Sequence, residues 1–222
     1  MADEYVRWVE NHRDDYDAVL HRVQRTQDVF LGGEDAAARS LLQMAYTFAV
    51  LSIQTQVDRT ETAFTAYYAG EATLPEAAGQ TVYHNQKTGW LSEGYVTTDW
   101  SALLDDARGA VVEGDRQAVL TRLTELTGLS YRKAGFTAAL CGVHELMCID
   151  TNVAQFAGID RDREFTGADD YVAACDTVVE RADGPLESPF LVQWAIFDYQ
   201  RGEHVTHLPF YREVLPQNHL EP

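Results

Sequence analysis

Lysine is almost missing from this chain of 222 residues: only Lys87 and Lys133 occur, beside 15 arginines. Acidic residues number 35, and the formal net charge is −18. A strongly acidic composition keeps a protein hydrated and soluble in concentrated salt, so we expect a halophilic protein. The bulk charge opposes non-specific binding to DNA at ordinary ionic strength. A DNA-binding face in this chain must therefore be locally basic.

Long apolar runs and paired cysteines are also missing. The longest apolar stretch, MAYTFAVLSI, has the length of a core helix and is too short to cross a membrane. The N-terminal stretch MADEYVRWVENHRDD is acidic and unlike a secretory signal. We therefore expect a protein of the cytoplasm, or of the host cytoplasm if a virus encodes it, with no membrane partner. Cys141, Cys148 and Cys175 lack disulfide or metal-site spacing and are interpreted as buried apolar residues.

Strand-like alternation is absent, and apolar residues recur with the period of a helix along most of the chain. The stretch EYVRWVENHRDDYDAVLHRVQ predicts one amphipathic helix that ends near Gly32-Gly33. Further helices are predicted at 34–53, which should be the central buried one, and at 57–70, 75–93, 99–112, 115–127, 130–141, 150–158, 167–182 and 187–201. The expected fold class is all-α.

Two predicted helices meet at a glycine turn. DRQAVLTRLTEL is followed by Gly128 and Leu129, and Ser130 stands where its hydroxyl would cap the next helix, YRKAGFTAALCG. Such a hairpin directs backbone N–H groups and a helix N-terminus toward one point, which suits a phosphate group. Arg132 and Lys133 would add positive charge. Residues 116–147 carry four basic and two acidic side chains, a local reversal of the overall charge.

A second polar cluster follows the hairpin in the segment CIDTNV. Asp150 comes after an apolar pair and precedes Thr151 and Asn152, which begin another predicted helix. A carboxylate in this position can cap the helix, act as a base or stabilise a positive charge.

These segments resemble the helix–hairpin–helix signature of the DNA glycosylase superfamily, which includes endonuclease III and the 8-oxoguanine glycosylases. The resemblance is carried by LTGLSYRKAG at 126–135 and CIDTNVAQFAGI at 148–159. FAVLSIQTQVDRTETAF at 48–64 resembles the family's earlier LSQQT helix, and HNQKTGWLSEG at 84–94 resembles its Asn-Lys-Ala helix. The segments occur in the family's order and cover most of 41–160.

The resemblance implies a single unit of two packed helical lobes with the hairpin and Asp150 at the cleft between them. The first lobe would comprise about 34–127, and the second about 1–33 together with 128–208. Residues 209–222 would form a tail. The implied activity is DNA base excision: a damaged or modified base is flipped out of the duplex and its N-glycosidic bond is cleaved, with AP-lyase activity as a further possibility. DNA is the implied partner, and no cofactor or metal is implied.

The resemblance also implies roles for individual residues. Asp150 matches the aspartate that stabilises the sugar cation or assists the nucleophile. Lys133 matches the amine that attacks the sugar C1′ and forms a Schiff base. The backbone phosphate would be held by Gly128, Leu129, Ser130 and Arg132. Gln54, Thr55, Lys87 and Asn152 would line or support the base pocket.

The chain departs from the family pattern at several positions. The family's spacing between lysine and aspartate falls on Arg132, and the lysine follows one position later. Ser130 replaces the second turn glycine. The cysteine-rich iron–sulfur loop of endonuclease III is missing. Ala49 stands where adenine-specific members carry glutamate, which disfavours adenine removal of that type.

Other interpretations remain open at the level of sequence. KAGF and CIDTN also resemble a glycosylase-fold branch, encoded by tailed viruses with hypermodified thymine, of amino-acid:DNA transferases. Such an enzyme would use activated 5-hydroxymethyluracil in DNA and a free amino acid. A non-catalytic DNA-binding module is a third reading. Lys133 could serve as a phosphate contact, but retention of a lysine in so lysine-poor a chain favours chemistry that arginine cannot perform. His204 and His207 are a weak candidate for a metal site.

Overall fold

The computed structural model describes residues 2–202, and every regular element in that range is an α-helix, which confirms the all-α prediction. None of these helices is long and apolar enough to cross a membrane. The expected tail at 209–222, as well as His204 and His207, lies outside the described residues. The helices are α1 (Ala2–Asn11), α2 (Arg13–Gly32), α3 (Asp35–Leu51), α4 (Val57–Tyr68), α5 (Leu74–Gly79), α6 (His84–Thr97), α7 (Trp100–Val112), α8 (Arg116–Leu123), α9 (Tyr131–Leu140), α10 (Thr151–Ala157), α11 (Ala168–Ala182) and α12 (Pro189–Arg201).

Two predicted helices are each divided in the structure. The first breaks at His12, whose backbone leaves helical geometry with φ −121° and ψ 21° and whose Nδ1 lies 2.8 Å from the carbonyl oxygen of Trp8. The helix expected at 75–93 becomes α5 and α6, because Tyr83 adopts a left-handed conformation with φ 57° just before α6 begins. Apolar periodicity continues across both breaks, so it carried no signal for either one.

Helix α3 lies at the centre of the fold, as its continuous apolar character predicts. It packs against α2, α4, α6, α7 and α9, and every residue from Met44 to Leu51 is buried. The apolar run ends at Leu51, where the chain turns through residues 52–55 before α4 begins. This 52–55 turn therefore starts from the rigid, buried end of the central helix.

Candidate functional site

A cleft of about 650 Å³ opens beside the 52–55 turn. Its walls come from the end of α3, the turn before α9, the first turns of α9 and α10, and α12. The lining residues are Phe48, Ser52, Ile53, Gln54, Thr55, Gln56, Val57, Thr60, Trp90, Gly128, Ser130, Arg132, Lys133, Phe136, Cys148, Asp150, Thr151, Asn152, Gln193, Trp194, Phe197 and Arg201. Residues from all four segments that carry the resemblance therefore meet at one hollow.

The glycine turn between α8 and α9 forms one edge of the cleft. Gly128 has φ 86°, a left-handed conformation that favours glycine. Leu129 is buried, and its N–H donates to the carbonyl oxygen of Leu126 at 3.1 Å, so this amide is already engaged and is not directed to a ligand. Ser130 occupies the N-cap position of α9, but its side chain makes no capping hydrogen bond. The expected hydroxyl cap is therefore wrong, and the exposed Ser130 side chain lies in the cleft wall.

The two neighbouring cations of α9 make different contacts. Lys133 donates from Nζ to the hydroxyl oxygen of Ser52 at 2.7 Å, inside the cleft. Arg132 donates to the carbonyl oxygens of Arg161 at 2.8 Å and Arg163 at 3.2 Å, which ties down the loop before α11. The lysine–aspartate spacing of the family falls on Arg132, yet it is Lys133, one position later, that bonds to Ser52 of the LSIQT segment. The guanidinium of Arg132 is largely occupied in holding a loop.

The positive charge expected along 116–147 does not gather on one face. Arg116 forms a two-pronged ion pair with Asp176, with N–O distances of 2.7 and 3.0 Å. Arg122 pairs with Asp106 at 3.3 Å. Arg122 also pairs with Glu125 at 3.1 Å, three positions along the chain. Because Asp176 and Asp106 lie outside 116–147, the charge count over that segment overstates the basic surface.

Asp150 lies at the N-terminus of α10 and faces the cleft. One of its oxygens accepts a hydrogen bond from the N–H of Val153 at 2.9 Å, so the residue is a genuine helix cap. Burial raises the pKa of Asp150 above its usual range, against the lowering effects of the Val153 N–H and of the nearby positive charge of Lys133. The carboxyl group thus has a structural role and also a perturbed acidity, which is common for groups that perform chemistry.

The segment before Asp150 is held in place by side chains rather than by secondary structure. The Tyr171 hydroxyl donates to the carbonyl oxygen of Met147 at 2.9 Å and accepts from the N–H of Ile149 at 3.0 Å. Gln193 accepts from the N–H of Cys148 at 2.6 Å. Buried backbone polar groups need such partners, and these bonds determine where Asp150 enters the cleft.

Gly135 lets this segment approach α9. A Cβ on Gly135 would stand 2.4 Å from the carbonyl oxygen of Met147 and 2.9 Å from the ring of Tyr171, closer than real Cβ atoms come. The glycine of the KAGF motif therefore allows α9, which carries Lys133, to pack directly against the strand-like segment that carries Asp150.

The 52–55 turn carries the remaining residues expected near the base. Gln54 is exposed and has φ 51°, which is an uncommon conformation for a residue with a side chain. The hydroxyl oxygen of Thr55 accepts from Lys87 Nζ at 2.7 Å and from the N–H of Val82 at 3.3 Å. Both Gln54 and Thr55 line the cleft.

Lys87 supports this turn from the interior. Its side chain is fully buried, and Nζ also donates to the carbonyl oxygen of Leu51 at 2.7 Å. Burial, with a smaller contribution from the positive charge of Lys133, lowers the pKa of Lys87 to about 8. Lys87 is not among the residues that line the cleft, so it is a supporting residue. Asn152 does line the cleft, and its carbonyl oxygen accepts from Gln200 at 3.1 Å.

Sequence reasoning missed three residues of the site. Ser52, the partner of Lys133, stands within the matched LSIQT motif, so its position was a usable signal. Gln193 is a single amide inside the apolar stretch FLVQWAIF of α12, which is also a signal for a buried hydrogen bond. Trp90 lies within the HNQKTGWLSEG segment, which was a signal for its place at the site, but its contact with Gly128 depends on how two distant segments pack.

A second hollow of about 530 Å³ has the opposite charge. It is lined by one cation and five carboxylates, together with apolar residues: Val111, Gly114, Asp115, Arg116, Val119, Val143, Glu145, Asp176, Val179, Glu180, Glu187 and Pro189. Three cations and one carboxylate line the cleft that contains Lys133. Charge therefore selects that cleft as the hollow suited to an anionic partner.

The three cysteines are buried and unbonded to one another, in line with their interpretation as apolar residues. Within residues 2–202 no group of three or more His, Cys, Asp or Glu side chains is placed to hold a metal ion. Comparisons of this chain with protein-family models, with curated proteins and with solved structures find no match.

Proposed function

We propose that this chain is a DNA-base-acting enzyme of the two-lobed glycosylase fold, which flips a damaged or modified base from the duplex and cleaves its N-glycosidic bond. The observation that carries the proposal is the meeting of Lys133, Asp150 and the Gly128 turn at one cleft. These groups come from segments that resemble the glycosylase signature. Amine, carboxyl group and glycine turn are the three parts that base excision by this mechanism requires.

The charge of the cleft supports a nucleic-acid partner. Among residues 2–202, the cations that line it are Arg132, Lys133 and Arg201, and the one carboxyl side chain is that of Asp150. In a chain with a net charge of −18, such a hollow is a local exception. Phosphates would be attracted there and repelled elsewhere, which also disfavours non-specific binding along the duplex.

Aromatic side chains supply a surface for an extruded base. The cleft is lined by Phe48, Trp90, Phe136, Trp194 and Phe197. Flipped bases are commonly held between aromatic or apolar side chains, because every base has a π-face. A cleft of about 650 Å³ is also large enough for a ligand of the size of a nucleotide.

Exposed side chains on the 52–55 turn and on the adjoining segment suit the gap that a flipped base leaves in the duplex. Gln54 projects from a strained, left-handed position. Val82 and Tyr83 are 42% and 54% exposed, which is unusual for large apolar side chains, and Val82 is tied to the 52–55 turn through Thr55. Side chains of this kind can insert between base steps and hold the distorted duplex.

The proposed chemistry requires the Lys133 ammonium group first to release a proton to solvent, which leaves a neutral amine. Its nitrogen forms a bond to the sugar C1′ while the C1′–N bond to the base breaks, and the electron pair leaves with the base, which takes up a proton. The attacking nitrogen loses a proton, and its lone pair then forms the C1′=N bond of a Schiff base as the C1′–O4′ bond breaks and O4′ takes up a proton. Asp150 stabilises the positive charge that develops on the sugar as the base departs.

Borohydride trapping tests this proposal directly. The protein is incubated in molar potassium chloride with duplexes that carry a panel of damaged and modified bases, and the Schiff base is reduced to a stable adduct. Lys133→Arg is the decisive variant, because it keeps the positive charge but has no neutral amine. We expect Lys133→Arg to bind DNA and to form no adduct. Base release or an adduct with the native protein supports the proposal; neither with any duplex contradicts it.

The same experiment separates the other interpretations. If Lys133→Arg retains base release while Lys133→Gln loses DNA binding, Lys133 is a phosphate contact. If mass spectrometry of nucleosides shows a base that gains mass in an intact strand, with an activated 5-hydroxymethyluracil duplex and a free amino acid, the chain is a transferase. If DNA is bound and no duplex is ever changed, it is a binding module.

A further inference from the structure

The only two lysines of the chain bind the same turn. Lys133 donates to the hydroxyl oxygen of Ser52, and Lys87 donates to Leu51 and Thr55, all at 2.7 Å. The two residues come from different helices, α9 and α6. Lys133 lies in the cleft wall, whereas Lys87 is fully buried. The 52–55 turn is therefore held between two ammonium groups.

Full burial of an ammonium group is costly, so a chain retains it only with good acceptors. Leu51 is the last residue of α3, and the final carbonyl groups of a helix lack partners within the helix. A cation at this end also interacts favourably with the helix dipole. Lys87, a residue of α6, thus caps the C-terminal end of α3 and links that end to Thr55.

This link closes the turn around Gln54. Leu51 and Thr55 flank the turn residues, and both are bonded to one nitrogen atom. The left-handed conformation of Gln54 lies within the bridged stretch. Backbone strain of this kind persists only where surrounding contacts hold it, and Lys87 supplies two of those contacts.

We propose that Lys87 is a positioning residue, which holds the 52–55 turn so that Ser52 orients the amine of Lys133 in the cleft. The catalytic consequence rests on the proposed function, because it requires Lys133 to act as the amine. The positioning of Lys133 by Lys87 does not depend on the proposed function. Lys87 reaches no substrate and acts only through the turn and Ser52.

A purely structural role for Lys87 makes a different prediction. If Lys87 only stabilised the fold, its loss would lower the free energy of unfolding but leave Lys133 in its native surroundings at temperatures where the protein is folded. If Lys87 positions the amine, Lys133 must sense its loss in the folded protein.

Because the chain has only two lysines, the response of Lys133 to the loss of Lys87 can be measured by NMR. With lysine labelled by ¹³C at Cε, the protein gives two lysine signals, which Lys87→Met and Lys133→Gln assign. Ser52→Ala provides the reference position of Lys133 without its acceptor. We expect the Lys133 signal in Lys87→Met to move toward the position seen in Ser52→Ala. Circular dichroism is used to verify that each variant is folded.

Thr55→Val is the second variant, because it removes one acceptor of Lys87 and keeps both lysines. It should move the Lys133 signal in the same direction. Thr26→Val is the control for loss of a threonine hydroxyl: Thr26 is fully buried, whereas Thr55 is half-buried, and the Thr26 hydroxyl donates to the carbonyl oxygen of Arg22 within α2, outside the 52–55 turn. If Lys87→Met does not fold, the Lys133 signal in Thr55→Val decides whether Lys87 positions the amine. A Lys133 signal that stays at its native position in the folded variants overturns the proposal.

Turnover supplies the second readout. A misplaced amine should lower kcat on the order of 100-fold and leave KM within about threefold, since Lys87 does not contribute binding contacts. An unchanged kcat in a folded variant whose Lys133 signal has moved contradicts the proposal. If the native protein acts on no duplex, the proposed function fails, and the lysine signals still decide the placement.

Discussion

The ring of Trp90 lies directly beneath Gly128, with ring carbons 2.8 Å from the point where a Cβ would stand. Trp90 belongs to α6 and Gly128 to the turn before α9, and both line the cleft. The glycine therefore serves two purposes: it adopts φ 86° without strain and lets an indole support the turn. The pair joins two of the segments that resemble the glycosylase pattern.

Gly128→Ala should consequently destabilise the protein. A Cβ meets the Trp90 ring and strains a left-handed backbone, and strain of this kind costs about 1–3 kcal/mol. The free energy of unfolding is measured with urea. Gly109→Ala is the matched control, because Gly109 lies in α7 with open space around it. There alanine should stabilise by roughly 0.5–1 kcal/mol, so the two variants should change stability with opposite signs.

Asp150→Asn should lower base release by a factor on the order of 10²–10³, as expected when one group that stabilises transition-state charge is lost. Asparagine caps helices as well as aspartate does, so DNA binding and folding should be retained. Single-turnover kinetics provide the measurement. Asp115→Asn is the control, since Asp115 caps α8 in the same way and lies in the acidic hollow. Full activity in Asp150→Asn argues that this carboxyl group is a cap only.

The same substitution should change how stability depends on pH. Burial raises the pKa of Asp150, so at pH values between its unfolded and folded pKa the folded state retains a proton that the unfolded state has released. The contribution of Asp150 to stability is therefore present below its unfolded pKa and is lost as pH rises through its folded pKa. Asp150→Asn cannot ionise. We expect it to gain stability relative to the native chain as pH rises through that range. If the free energy of unfolding of the native chain and of Asp150→Asn changes with pH in parallel, Asp150 is not a buried carboxyl group with a raised pKa.

Lys133→Gln should raise the pKa of Lys87 above its value of about 8, because the positive charge of Lys133 contributes to the depression. Burial is the larger cause and remains, so the pKa should not return to the ordinary value. Titration of the Lys87 Cε signal gives the measurement. Arg132→Gln is the control: Arg132 is the neighbouring cation, and its guanidinium contacts the Arg161 carbonyl instead. An unaltered titration of Lys87 in Lys133→Gln would show that the two amines do not interact.

Tyr171→Phe should destabilise the protein by about 1–3 kcal/mol, because the N–H of Ile149 and the carbonyl group of Met147 lose a buried partner. Urea unfolding at constant m-value provides the test. Tyr199→Phe is the matched control, since its hydroxyl makes only a long 3.4 Å contact with Glu4 at the surface. Equal effects of the two substitutions would indicate that the Tyr171 hydroxyl does not hold the segment.

Local signals explain which expectations agree with the structure. The apolar run of α3 predicts its burial, and the turn at Gly128 is readable because glycine tolerates its left-handed backbone. Asp150 is recognisable as a helix cap from its neighbours alone. The break at His12 was missed because no glycine or proline marks it. At the second break Gly79 ends α5 and was a usable marker, whereas the left-handed conformation of Tyr83 had none.

The sequence by itself determined the all-helical class, the glycine turn, the candidate amine and carboxyl group, and the scarcity of lysine that draws attention to both lysines. Only the tertiary structure decided that Lys133 and not Arg132 bonds to Ser52 in the cleft, that Lys87 is buried behind the same turn, and that distant acids neutralise Arg116 and Arg122. Helix formation depends on neighbours within a few positions. The direction of a long charged side chain depends on acceptors and countercharges that approach from remote parts of the chain, and no local pattern records them.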